Sequence, residues 1–203
     1  MDAVIFDLDG TILDSEPWHK RAEIEAFGIL GRHVAETELL PFTGTTLEFM
    51  LRGIAPGTTV EEFLAIEQPI LAGHIREDME AFPDALRLLS RVRVPCAIAT
   101  SSMKWYLDAT TERFPFLGER FPVRVCQADI REGKPHPEIF LLASSLLGVD
   151  PSRVLVIEDS RNGVLGAKAA GCRTVGVQRH PGIDLQAADQ VVSSLDELNL
   201  GSN

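Results

Sequence analysis

Ala3-Val4-Ile5-Phe6-Asp7-Leu8-Asp9-Gly10-Thr11 is the stretch on which the fold turns. Four apolar residues in a row run straight into two aspartates and a glycine. A short, non-alternating apolar run suits a parallel strand buried on both faces. Acidic residues just after it suit the carboxyl end of such a strand, where open parallel sheets bind their ligands. Four similar runs follow downstream: Cys96–Ala99, Val123–Cys126, Val154–Ile157 and Thr174–Val177. Helix-length amphipathic segments separate them. One starts near Pro137 and carries Ile139, Phe140, Ala143, Leu146 and Leu147 before Gly148 stops it; another runs from a Ser160 cap to Gly171. This alternation predicts an α/β protein with a doubly wound, Rossmann-like parallel sheet.

One region breaks the pattern. From Asp14 to roughly Glu80 there is no strand signal, only helix-like stretches at Glu16–Phe27, Val34–Leu40, Thr46–Arg52 and Val60–Arg76. Pro69 is expected to kink or split the last of these, and Gly53–Thr59 to form a turn. The reading is therefore a core built from 1–13 and 81–203, with a small all-α helical domain, 14–80, inserted after the first strand.

Bulk properties narrow the function. The 203 residues carry a formal net charge of -11, which argues against nucleic acid or an anionic membrane as partner. No apolar stretch approaches the ~20 residues of a membrane helix. Cys96, Cys126 and Cys172 are widely spaced, and the first two lie in apolar runs where a cysteine packs as a small hydrophobe. With no basic-then-apolar leader pattern at the start, a cytoplasmic setting is expected.

The strand ends carry the chemistry. Asp7 and Asp9 follow the first run, Thr100-Ser101-Ser102 the second, Glu158-Asp159 the fourth, and Gly133-Lys134-Pro135 precedes the Pro137 helix. Four carboxylates on one sheet edge repel and call for a shared proton or a cation, and Mg²⁺ prefers a few carboxylates, waters and a substrate phosphate. One carboxylate can then attack phosphorus, and a second can protonate the leaving oxygen and later deprotonate water. Donors for the phosphoryl oxygens are the Thr100 hydroxyl, backbone N–H groups, a helix N-terminus expected at Ser102, and Lys134.

Over nearly its whole length the sequence resembles the haloacid dehalogenase superfamily of phosphatases. Asp7-Leu8-Asp9-Gly10-Thr11 matches the first motif, Thr100 with Ser101 and Ser102 the second, Gly133-Lys134-Pro135 the third, and Glu158-Asp159 the fourth. The resemblance implies that Asp7 is the nucleophile, forming an aspartyl-phosphate. It implies that Asp9 is the acid/base, binding metal through its main-chain carbonyl. Thr100 and Lys134 would hold the phosphoryl group, and Glu158 and Asp159 would complete a Mg²⁺ site with Asp7 and Asp9. The insert is similar to the helical cap of the branch containing β-phosphoglucomutase and sugar-phosphate phosphatases; Asp14-Ser15-Glu16-Pro17 and Gly163 also fit that branch.

Substrate contacts are expected from Ser15, His19, Gly44, Thr45, Ser101, Ser102 and Lys104. The mutase pattern implies an Arg three residues after the cap glycine, but Leu47 stands there, with Arg52 the nearest substitute. That departure favours a phosphatase of sugar or nucleotide-like monophosphates over a phosphosugar mutase. A receiver-type or other non-catalytic phosphate-binding module is the remote alternative, since its phospho-acceptor would sit on a middle strand and it leaves the helical insert unexplained. A monomer is expected, because the cap already covers the site.

Overall fold

The computed structural model describes residues 1–42 and 46–200, and begins with the expected strand, β1 (Ala3–Phe6). After the acidic turn comes β2 (Leu13–Asp14), then α1 (Glu16–Ile29), α2 (Glu36–Leu39), α3 (Leu47–Ile54), α4 (Val60–Glu77) and β3 (Glu80–Ala81). The remainder alternates: α5 (Pro83–Arg91), β4 (Cys96–Ala99), α6 (Lys104–Arg113), α7 (Pro115–Arg120), β5 (Val123–Val125), α8 (Glu138–Leu147), β6 (Val154–Glu158), α9 (Arg161–Ala169), β7 (Arg173–Val177) and β8 (Gln190–Val192).

Six strands form one parallel sheet in the order β5-β4-β1-β6-β7-β8. The chain leaves β1 for β4 and β5 on one side, then crosses to β6, β7 and β8 on the other. The carboxyl end of β1 is therefore the topological switch point, where a crevice opens in this class of sheet. Strand residues alternate between two buried faces. Ala3, Ile5, Ala97, Ala99, Val154 and Val156 share a core with Ile139, Phe140 and Ala143 of α8 and with Ala167 of α9. Phe6 points to the opposite face and meets the Phe121 ring edge-on at 5.7 Å.

The chain divides into two units, Met1–Asp14 with Glu80–Asn203, and Ser15–Met79. Each boundary lies one residue from the expected one, because Asp14 and Glu80 pair with one another as the last register of the antiparallel β2–β3 ribbon. The Ser15–Met79 unit has its own core, in which Phe27 and Phe63 are buried with ring centroids 4.8 Å apart, together with Met50 and Leu51. Pro69 does not split α4. A capping box starts that helix, with the Thr59 hydroxyl accepting from the Glu62 N–H and the Glu62 carboxylate from the Thr59 N–H. Phe63, Glu67, Leu71 and Ile75 bury one stripe on both sides of the proline, so packing outweighs the one lost donor. The expected turn is shorter than read, since Gly53 is the penultimate residue of α3. A Cβ there would stand 2.7 Å from the Phe42 ring, so close packing rather than a turn calls for the glycine.

Candidate active site

The turn after β1 is closed by its own backbone. Ile12 and Leu13 N–H groups donate to the Leu8 carbonyl, and the Gly10 N–H donates to the Leu13 carbonyl. Gly10 has φ +71°, and a Cβ on it would lie 2.1 Å from Oδ2 of Asp159. Glycine is thus required twice, for the left-handed backbone and for the approach of the β6 loop.

Asp7, Glu158 and Asp159 come together there, each offering an oxygen within 4.8 Å of the others. Lys134, its side chain only 4% exposed, is held among them. Its Nζ donates to Asp7 Oδ1 at 2.5 Å, Glu158 Oε1 at 2.6 Å and the Ala99 carbonyl at 2.9 Å. The other Glu158 oxygen accepts from the Ser160 N–H and hydroxyl. Ser160 also caps α9, accepting from the Gly163 N–H. Gly163 lies against this carboxylate: a Cβ would stand 1.8 Å from Glu158 Oε1. Lys134 therefore fixes the Asp7 carboxylate and sets a buried positive charge beside it.

One lysine cannot balance this cluster. Burial pushes the Asp7 carboxyl well above the usual carboxylate range; Lys134 pulls it down, while Glu158, Asp159 and Asp9 push it further up. Asp159 is raised to about 7, by burial first and the Glu158 charge second. Burial opposes the charge on Lys134, but Asp7 and Glu158 outweigh it and keep the ammonium protonated. An all-oxygen, carboxylate-rich donor set with surplus negative charge fits a hard divalent cation.

The Asp9 carboxylate is turned away from that cluster. Its Oδ2 accepts from the Ser102 hydroxyl at 2.6 Å and the Thr100 hydroxyl at 3.4 Å, and its Oδ1 from the Tyr106 hydroxyl at 2.5 Å. Thr100 is buried at the end of β4, and its hydroxyl also accepts from the Ser102 N–H. The helix that follows begins two residues later than expected, at Lys104 with Met103 in the cap position, because Ser102 is engaged in this turn. Ser101 is exposed beside it.

The other expected contacts are described by their own surroundings. Lys104 pairs along its own helix with Asp108 at 2.8 Å, and both are well exposed. Arg52 does the same with Glu48 at 2.6 Å. Ser15 is buried at the start of α1, where its carbonyl accepts from the Trp18 and His19 N–H groups. His19 is half-buried on α1, and Gly44 and Thr45 lie outside the described residues.

Two residues at the site had no cue in the sequence. Tyr106 is one. Arg179, just past β7, is the other: it donates to the carbonyls of Gly10 and Thr11, both at 3.2 Å, and pairs with Asp84 through two bonds of 2.9 and 3.0 Å. Its guanidinium stacks 3.9 Å from the centre of the Phe82 ring. A lone Arg in a loop shows no spacing that would single it out.

The sequence profile of the haloacid dehalogenase-like hydrolases matches residues 4–177. The chain belongs to this family. It is 32% identical over 207 residues to Hexitol phosphatase A of Escherichia coli (strain K12), a match covering 97% of this chain and 92% of that protein. Protein SUPPRESSOR OF QUENCHING 1, chloroplastic, of Arabidopsis thaliana is 32% identical over 190 residues, but the match covers 88% of this chain and 18% of that much longer protein. Among solved structures, CbbY from Rhodobacter sphaeroides in complex with phosphate aligns with a TM-score of 0.85 at 25% identity, covering 97% of this chain and 96% of that one. Membership of the haloacid dehalogenase-like hydrolases agrees with the α/β core and the acidic strand ends described above.

Proposed function

We propose that the chain is a Mg²⁺-dependent phosphatase of small phosphomonoesters, sugar phosphates foremost, working through an aspartyl-phosphate on Asp7. The observation that carries this reading is the Asp7 carboxylate, held by Lys134 at the switch point of the sheet, with a second carboxylate two residues on that is aimed separately by hydroxyls. Asp7, Glu158 and Asp159, with the Asp9 carbonyl, would hold the metal, which supplies charge neutralisation for the substrate phosphate.

Asp7 attacks phosphorus, forming its O–P bond as the ester P–O bond breaks. Asp9 gives its proton to the departing oxygen. A water then attacks the phospho-Asp7, passes a proton to Asp9, and the Asp7–phosphate bond breaks to release inorganic phosphate. Lys134, Thr100 and the backbone N–H groups around Ser101 and Ser102 stabilise charge on the phosphoryl oxygens.

Hexitol phosphatase A, by its name, acts on phosphorylated sugar alcohols, and similarity over nearly the whole of both chains supports that substrate class here. Phosphatase is favoured over mutase because Leu47 stands where a phosphate clamp is needed and Arg52 is paired with Glu48. In this reading Ser15–Met79 is the cap that selects the leaving group, with Ser15, His19, Gly44 and Thr45 as its contacts, and the protein works as a monomer. Three buried, unbridged cysteines suit a reducing cytoplasm. Phosphate release from a panel of sugar, polyol and nucleotide monophosphates, with Mg²⁺ or EDTA, tests the reading. Mg²⁺-dependent release that vanishes in Asp7→Asn is expected; release that survives either EDTA or Asp7→Asn overturns it.

A further inference from the structure

The Asp9 carboxylate is gripped at both oxygens. Ser102 and Thr100 hold Oδ2 and Tyr106 holds Oδ1, so the plane of the carboxylate cannot turn without breaking a hydrogen bond. Two of the three donors come from the loop that carries the second motif. The third comes from the first turns of α6, and it is the only tyrosine in the sequence. Tyr106 is itself closely packed. It is 2% exposed, and its ring meets Trp105 edge-on with centroids 5.9 Å apart. A buried phenol needs a hydrogen-bond partner, and here its hydroxyl donates to the Asp9 carboxylate.

We propose that Tyr106 is a positioning residue that aims Asp9 at the leaving-group oxygen. The proposal rests on the phosphatase reading above. Proton transfer to a leaving group requires the donor within hydrogen-bond reach and in line, so a carboxylate free to rotate loses rate even when its chemistry is intact. The demand for that proton depends on the leaving group. An alkoxide leaving from a sugar phosphate is strongly basic and needs protonation as the P–O bond breaks. The 4-nitrophenolate leaving from 4-nitrophenyl phosphate is stabilised by its ring and departs without it.

The test is therefore kcat/KM of Tyr106→Phe on two esters: the sugar phosphate ranked first by the panel, and 4-nitrophenyl phosphate. This parameter reports the steps through the first bond cleavage, before phospho-Asp7 is hydrolysed. Phe fills the same space, and the ratio of the two values from one preparation does not depend on the folded fraction. The expected result is a fall of roughly 10- to 100-fold for the sugar phosphate, the scale of one hydrogen bond to a charged group, with little change for the nitrophenyl ester. Equal losses on both esters would make Tyr106 merely structural, and unchanged or raised activity on the sugar phosphate would mean its hydroxyl does not aim Asp9; either overturns the inference. If the parent protein turns over neither ester, the phosphatase reading itself fails, which distinguishes the two.

Discussion

Gly163→Ala is the perturbation with the sharpest geometric consequence. In an open helix the change should stabilise by about 1 kcal/mol, since alanine is the better helix former. At Gly163 the added Cβ would sit 1.8 Å from Glu158 Oε1, which must retreat by more than an ångström to reach 3.0 Å. Glu158 is fully buried and tied by Lys134 on one oxygen and by Ser160 on the other. Moving it breaks a charged hydrogen bond of roughly 1.5–3 kcal/mol and weakens one or two neutral ones of about 1 kcal/mol each. Set against the helix gain, the net loss is about 2–4 kcal/mol, a fall in Tm of roughly 5–15 °C for a chain of this size. Lys134 would lose its seat beside Asp7, so kcat/KM should drop at least about 10-fold. Gly73→Ala, inside α4 with nothing within 4 Å of the new Cβ, is the control and should raise Tm slightly. Thermal unfolding of the two variants decides the matter: a Gly163→Ala protein as stable as its parent would refute the reasoning.

Three further outcomes are expected. Asp9→Ala should cost about 10²–10⁴-fold in kcat, the scale of general acid–base catalysis; a loss under 10-fold in steady-state assays would remove it as the acid/base. Arg179→Met should lower Tm by roughly 6–12 °C, since breaking one side of a buried ion pair costs about 3 kcal/mol or more. Burial alone would raise the Asp84 carboxyl, but Arg179, the Leu195 N–H and the Ser194 hydroxyl hold it down to about 2. That stability is present above the ordinary value of 3.8 and is lost as pH falls towards 2, so the gap between parent and Arg179→Met should narrow over that window; a constant gap would contradict the pairing. Glu67 runs the other way, raised to about 7 by burial and then by Glu23. Its carboxyl favours the folded state below the ordinary 4.5 and opposes it as pH rises through 7, so Glu67→Gln should raise Tm at pH 8 but not at pH 5. Equal effects at both pH values would rule this out.

The central strands were legible because each is a solid apolar run ending in polar chemistry. β1 and β4 lie where their runs predicted, and β6 extends its run by one residue to take in Glu158. β8 was not legible: it is an edge strand with only Val192 buried, so it lacks the two-sided apolar signature. The two-residue strands β2 and β3 are too short to show any period. Asp7, Glu158 and Asp159 drew notice as charged residues at strand ends and Lys134 as a lysine in a Pro-flanked loop, and the structure brings the four side chains together. Tyr106 and Arg179 were not, because what marks them is contact across roughly a hundred residues or more, with Asp9 in one case and with Gly10, Thr11 and Asp84 in the other. The pairing of Lys104 with Asp108 was likewise not read from the sequence, although the two stand one helical turn apart.

The β2–β3 ribbon has a consequence for how this chain could be built or rebuilt. Leu13 faces Ala81 and Asp14 faces Glu80 in antiparallel register, so the two ends of the long excursion lie about 5 Å apart, the spacing of any cross-strand pair. Topologically the excursion is a hairpin loop grown to the size of a domain. Its ends need no rearrangement to be joined by a two-residue turn such as Asn-Gly. Excision at that point, or exchange for another module with neighbouring termini, would leave every ladder of the six-stranded sheet in register. The ribbon is thus a natural splice point, where the inserted unit can be exchanged without redesigning the sheet edge that carries Asp7.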